Sequence, residues 1–109
     1  MSCCPEPQLV QLSTCNTYNT EAVAADAVQI FEHATGTASG YVTLTNFNAS
    51  ADTANISTDA AGTEVIATAA PDNSYTVFVP NLESLYVFST GGSIVIGQVS
   101  VNASYTVRP

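Results

Sequence analysis

The sequence has no lysine and a single arginine, Arg108, set against nine carboxylates, for a formal net charge of −8. Neutralising a phosphate backbone takes clustered bases, so nucleic-acid binding is excluded as a function class. The same deficit excludes docking on an anionic membrane through a polybasic patch. No stretch approaches the roughly 18 apolar residues of a membrane-spanning helix, so membrane insertion is not expected either. The opening residues, Met1-Ser-Cys-Cys-Pro-Glu-Pro, carry neither the basic start nor the apolar run of a secretory signal. The expectation is a protein that stays in the cytosol or leaves its cell by some other route.

Charged residues make up only 9 % of the chain, against about 25 % in an ordinary domain. The polar complement is Thr, Ser and Asn instead. With 46 % hydrophobic residues in 109 positions, there is apolar material for one modest core and one domain. This balance also opposes disorder. Leu, Glu, Lys, Arg and Gln, the usual company of alanine in helices, are scarce. Valine and threonine dominate the periodic segments, and both suit a pleated surface. The chain reads as all-β.

Residues 1–14 differ from the rest. Pro5 and Pro7 forbid a helix there and hold the backbone extended, which marks an N-terminal connector arm. Gln8 to Ser13 is available to add to a sheet. Residues 15–109 read as a single β domain. A strand is expected within Ala25 to His33. A helix opening at the Thr20 cap is the alternative, opposed by the β-branched run from Val28. Tyr41 to Asn46 sets Val42 and Leu44 against Tyr41, Thr43 and Thr45, a period of two. Further strands are expected at Ala54 to Thr58, Glu64 to Ala69, Tyr75 to Val79 and Glu83 to Ser89. Turn residues separate them, and no proline is expected inside a strand. In the last segment Ile94 and Ile96 alternate in one phase, and Val99, Val101, Ala103, Tyr105 and Val107 in the other. The slip at Gly97 reads as a β-bulge. About eight short strands at roughly ten-residue spacing predict a jelly-roll-like β-sandwich with an extended N-terminal arm.

Patterns that carry catalysis are missing. There is no GxGxxG, Walker loop or GxSxG, and no Asp-x-Asp-x-Asp calcium loop. His33 is the only histidine. In a strand its neighbour Glu32 points to the opposite face, so His33 reads as a surface residue near a strand end. The carboxylates fall mostly at strand ends and in loops, and read as solvating charge. No enzymatic activity, cofactor or metal is expected.

Cys3, Cys4 and Cys15 all lie within the first 15 residues. Their spacing is not that of a paired zinc site, although His33 is available as a fourth ligand. An odd count cannot pair fully within one chain, which points to intermolecular bonding or a free thiol. Three inert, reduced thiols are the bland alternative. Adjacent cysteines bridge each other only in a strained ring, so Cys3 and Cys4 are expected to reach different partners. The ten residues between Cys4 and Cys15 span roughly 35 Å when extended, enough to cross to another copy. Without lysine the sheet edges are unguarded against pairing with other chains. Head-to-tail pairing of such edges closes rings or winds filaments.

The short Cys-Cys arm, the small Val/Thr-rich β domain with a later cysteine, and a tail of the Val99-Ser-Val-Asn-Ala-Ser-Tyr-Thr-Val kind resemble the subunits of bacterial endospore appendages. The resemblance implies a jelly-roll pilin that joins laterally by β-augmentation into rings or turns. Its N-terminal connectors would then be disulfide-bonded to subunits of the neighbouring layer. Residue by residue, Cys3 and Cys4 match the connector cysteines and Cys15 the body acceptor of an intermolecular disulfide. The helical appendage type has a further cysteine late in the domain. None occurs from Ser39 to Pro109, which favours the ladder-like, stacked-ring variety. The implied partners are other copies of the chain, with spore-coat or exosporium anchor and tip proteins. The implied place is the endospore surface, reached by assembly in the mother cell. The alternative is a β-sandwich binding or adhesin module for carbohydrate, with Tyr41, Tyr75 and Tyr86 as its aromatic candidates.

Overall fold

In the computed structural model, which describes residues 8–33 and 38–107, eight strands follow one another along the chain. They are β1 (Gln8–Thr20), β2 (Val28–Glu32), β3 (Ala38–Asn46), β4 (Ala54–Ser57), β5 (Val65–Ala69), β6 (Asn73–Leu82), β7 (Ser84–Ser89) and β8 (Val95–Val107). Every pairing is antiparallel, and the pairs nest: β1 with β8, β2 with β7, β3 with β6, β4 with β5. Winding one long hairpin round on itself produces this nesting. Contacts of β3 with β8 and β4 with β7 then complete two four-stranded sheets, ordered β1-β8-β3-β6 and β2-β7-β4-β5. This is the jelly roll expected from the sequence.

The core lies where the apolar phase of each strand turns inward. In β3 burial alternates along Ala38–Asn46, with Val42 and Leu44 fully enclosed between exposed or half-exposed neighbours. They share one cluster with Val99 and Val101 of β8 and with Ile56, Leu85 and Val87 of the second sheet. Each such aliphatic side chain contributes roughly 1.5–3 kcal/mol by leaving water.

One alternative falls away and three expectations need correcting. The helix considered from Thr20 is not there: the chain makes one 3-10 turn at Ala24–Asp26 and enters β2, where Phe31 fills the core. Gly97 is not a bulge. The β1–β8 register runs unbroken from Gln8↔Val107 to Thr20↔Val95, with Gly97 opposite Tyr18. Gly97 belongs to the inward row with Val95, Val99 and Val101, and a Cβ there would lie 2.5 Å from the Tyr18 hydroxyl. Glycine occupies the position because the Tyr18 ring takes the space of a side chain.

Proline does occur within a strand. Pro80 lies in β6, an edge strand, where the register with β3 slips between Ala38 and Gly40. An edge and a bulge are the two places a sheet tolerates proline. Finally, Cys15 is not outside the body strands but in the middle of β1, so the boundary drawn between residues 14 and 15 falls inside that strand. Residues 1–7, with Cys3 and Cys4, lie outside the described residues.

Candidate assembly interface

The sheet β1-β8-β3-β6 contains no Asp, Glu, Lys, Arg or His in any of its strands. Its outward side chains form rows across the strands. Ser13, Asn102, Tyr41 and Phe78 make one row; Cys15, Ser100, Thr43 and Thr76 the next; Thr17, Gln98, Thr45 and Ser74 the third. Ser13 donates to Asn102 Oδ1 at 3.0 Å, and the Thr43 and Thr76 hydroxyls bond at 2.9 Å. Among the described residues, Glu32 in β2 is the one carboxylate within a strand; the others sit in connections. Among the described residues, the carboxylates are therefore kept out of the strands of this face. A like-charged copy approaching it meets no carboxylate in its strands.

Cys15 stands on this face, exposed and free, opposite Ser100. Gln8, where the described chain begins, lies seven residues from Cys15 in β1, about 24 Å at strand rise.

The sandwich has two open sides. β1 and β2 are neighbouring edges on one, bridged where Asn16 Nδ2 donates to the Ile30 carbonyl at 3.1 Å. β5 and β6 are the edges on the other, where Tyr75 and Val65 are exposed. No lysine guards any of them, and Pro80 blunts β6 only toward its end.

The three tyrosines proposed for carbohydrate stacking are not brought together. Tyr41 is on the outer face of the first sheet, 56 % exposed, with Phe78 edge-on at 5.4 Å between ring centroids. Tyr75 pairs with the inward Leu44, and Tyr86 lies half-buried in the second sheet. Phe78, 51 % exposed, is the aromatic that sequence reasoning missed; its place beside Tyr41 depends on the β3–β6 register.

His33 follows β2. Its backbone N–H donates to the Glu83 carbonyl at 2.7 Å and its ring meets Tyr105 edge-on at 4.4 Å. Among the described residues, no group of three or more His, Cys, Asp and Glu side chains is placed to hold a metal ion. No helix among them is long and apolar enough to cross a membrane.

Two carboxylates hold loops in shape. Asp52 accepts from the Thr53 N–H at 2.7 Å, the Ser89 hydroxyl at 2.8 Å and the Gly91 N–H at 2.6 Å, and these donors keep its pKa below the usual carboxylate range. Asp59 is lowered in the same way, chiefly by the Thr63 hydroxyl at 2.6 Å and then by the Glu64 N–H. Burial pushes the Tyr18 phenol well above its ordinary range, so it stays a donor. It donates to the Thr45 carbonyl at 2.8 Å.

No family model matches the chain, and no curated protein matches it. A solved structure does. It is described in the words "Bacillus endospore appendages form a novel family of disulfide-linked pili" and matches with a TM-score of 0.72 over 98 % of this chain and 97 % of that one, at 19 % identity. The fold of this chain, over nearly its whole length, is therefore the fold found in a disulfide-linked endospore appendage.

Proposed function

We propose that the chain is the structural subunit of a disulfide-cross-linked fibre on the endospore surface. Edges of one copy pair with edges of the next by β-augmentation, and the head-to-tail contact closes a ring. The N-terminal connectors then join stacked rings, with Cys3 or Cys4 bonded to Cys15 of a subunit in the next layer. The observation that carries this reading is Cys15 itself, exposed and free on the face of a sheet whose strands hold no charged residue. The shared fold with a disulfide-linked pilus supports it.

Electron microscopy of the purified, oxidised protein, with gels run with and without reductant, tests the proposal. Rings or fibres are expected, with a ladder of covalent multimers that collapses on reduction. Isolated single molecules with all three thiols titratable would contradict it.

A further inference from the structure

A groove of about 360 Å³ opens on the outer face of the uncharged sheet, lined by Gln11, Ser13, Tyr41, Phe78, Asn102 and Ser104. We infer that this groove is the cradle for the Pro5-Glu-Pro7 stretch of a second copy's N-terminal arm. The inference rests on the fibre reading and adds to it where the arm docks, a contact made by the groove itself and not by the disulfide.

Three observations converge. The first is chemistry: the groove offers two half-exposed aromatic rings set edge to face, surrounded by hydroxyls and amides. Proline-rich segments, already extended and stiff, dock on aromatic-lined grooves of this kind. The second is charge. Glu6 accompanies the two prolines, and no acid in the strands of this sheet repels it. Ser13 donates to Asn102 Oδ1, which leaves the Asn102 amide nitrogen as a donor for an acidic peptide.

The third is reach. Ser13 and Gln11, on the groove wall, are two and four residues from Cys15 along β1, about 7 and 14 Å at strand rise. From Cys4 to Pro7 a polyproline-type arm covers about 9 Å, and from Cys3 about 12 Å. An arm whose Cys3 lies at Cys15 and which crosses β8 toward Tyr41, two strands over and about 12 Å away, therefore brings Pro7 to the groove. The occupant is a second copy because β1 begins at Gln8, so a chain's own arm would have to reverse within the few residues before it to approach its sheet, which takes residues out of the docked stretch.

Cysteine trapping between two full-length chains tests this. Both carry Cys3→Ser, Cys4→Ser and Cys15→Ser. One adds Glu6→Cys; the other adds either Ser104→Cys in the groove or Thr45→Cys at the far end of the same face. The two are refolded together and oxidised. The Glu6→Cys chain should bond the Ser104→Cys chain about tenfold faster than the Thr45→Cys chain, and adding Tyr41→Ala with Phe78→Ala to the groove chain should remove that preference. Equal rates at the two positions, or a preference that survives loss of both rings, would overturn the cradle. The unmodified chain is oxidised alongside. If it forms intermolecular disulfides while the groove shows no preference, the cradle alone fails; if it forms none, the fibre reading fails with it.

Discussion

The side-chain amide of Asn46 donates to the Ala69 carbonyl at 3.0 Å, joining the end of β3 in one sheet to the end of β5 in the other. The same nitrogen donates to the Asp52 carbonyl at 2.9 Å, and its oxygen accepts from Ser50 at 2.5 Å. Ser50 in turn accepts from the Ile96 N–H at 2.7 Å. One fully buried amide thus ties both sheets and the loop that connects them at this end of the sandwich.

Replacing it leaves several buried polar groups without partners. Asn46→Ala should lower the unfolding free energy of the reduced protein by about 3 kcal/mol, since each orphaned group costs roughly 1–3 kcal/mol and the loop can partly relax. Urea unfolding measures this, and a loss under about 1 kcal/mol would deny Asn46 the role of cross-sheet tie.

Gly97→Ala places a methyl group against the Tyr18 hydroxyl and the Thr45 carbonyl. Neither can move freely, because they are hydrogen-bonded to each other. A destabilisation of about 2–3 kcal/mol is expected from such overpacking. A neutral result would mean that β1 and β8 are spaced differently at this point.

Thr14 presents the opposite case. Its hydroxyl is the buried side-chain oxygen left without a hydrogen bond among the described residues. Thr14→Val keeps the shape and removes the unsatisfied group, so it should stabilise the chain by about 1 kcal/mol. Destabilisation by a similar amount would show that the hydroxyl has a partner in solution.

The jelly roll was legible wherever one face of a strand is apolar, as at Val42 and Leu44 or Val99, Val101 and Ala103. β1 was not legible as one strand. Its inward-facing positions include Leu12, Thr14 and Tyr18, so polar residues interrupt the apolar period and the segment before Cys15 read as an arm. Gly97 misled for a related reason: an apolar Ile96 on the outer face mimics a phase slip, and the ring that claims the inner space comes from Tyr18, at the other end of the chain. The uncharged face could not be seen until the strand order showed that β1, β8, β3 and β6 share a sheet. The resemblance implies Cys15 as a body acceptor, but its place in β1 and its exposure on the uncharged face follow only from the strand order and register.

Asp52 gives a pH dependence. Its folded pKa is held below the value of about 3.9 that it has when unfolded. The stability it contributes is therefore present above that value and is lost as the pH falls through the lower folded pKa. Asp52→Asn should be less stable than the parent at neutral pH and converge with it in acid. Melting curves from pH 7 to pH 2 check the trend, and parallel curves at every pH would contradict it.

Equal amounts of nitrogen-14 and nitrogen-15 labelled chains, unfolded in reductant, mixed, refolded and oxidised, bear most directly on the fibre account. Disulfide-linked peptides are then read by mass spectrometry. The account predicts that the peptide containing Cys15 is joined to one containing Cys3 or Cys4, with half of these pairs carrying one light and one heavy partner. Pairs whose two partners always share a label would mean that the bond closes within a single chain, and the account would be wrong.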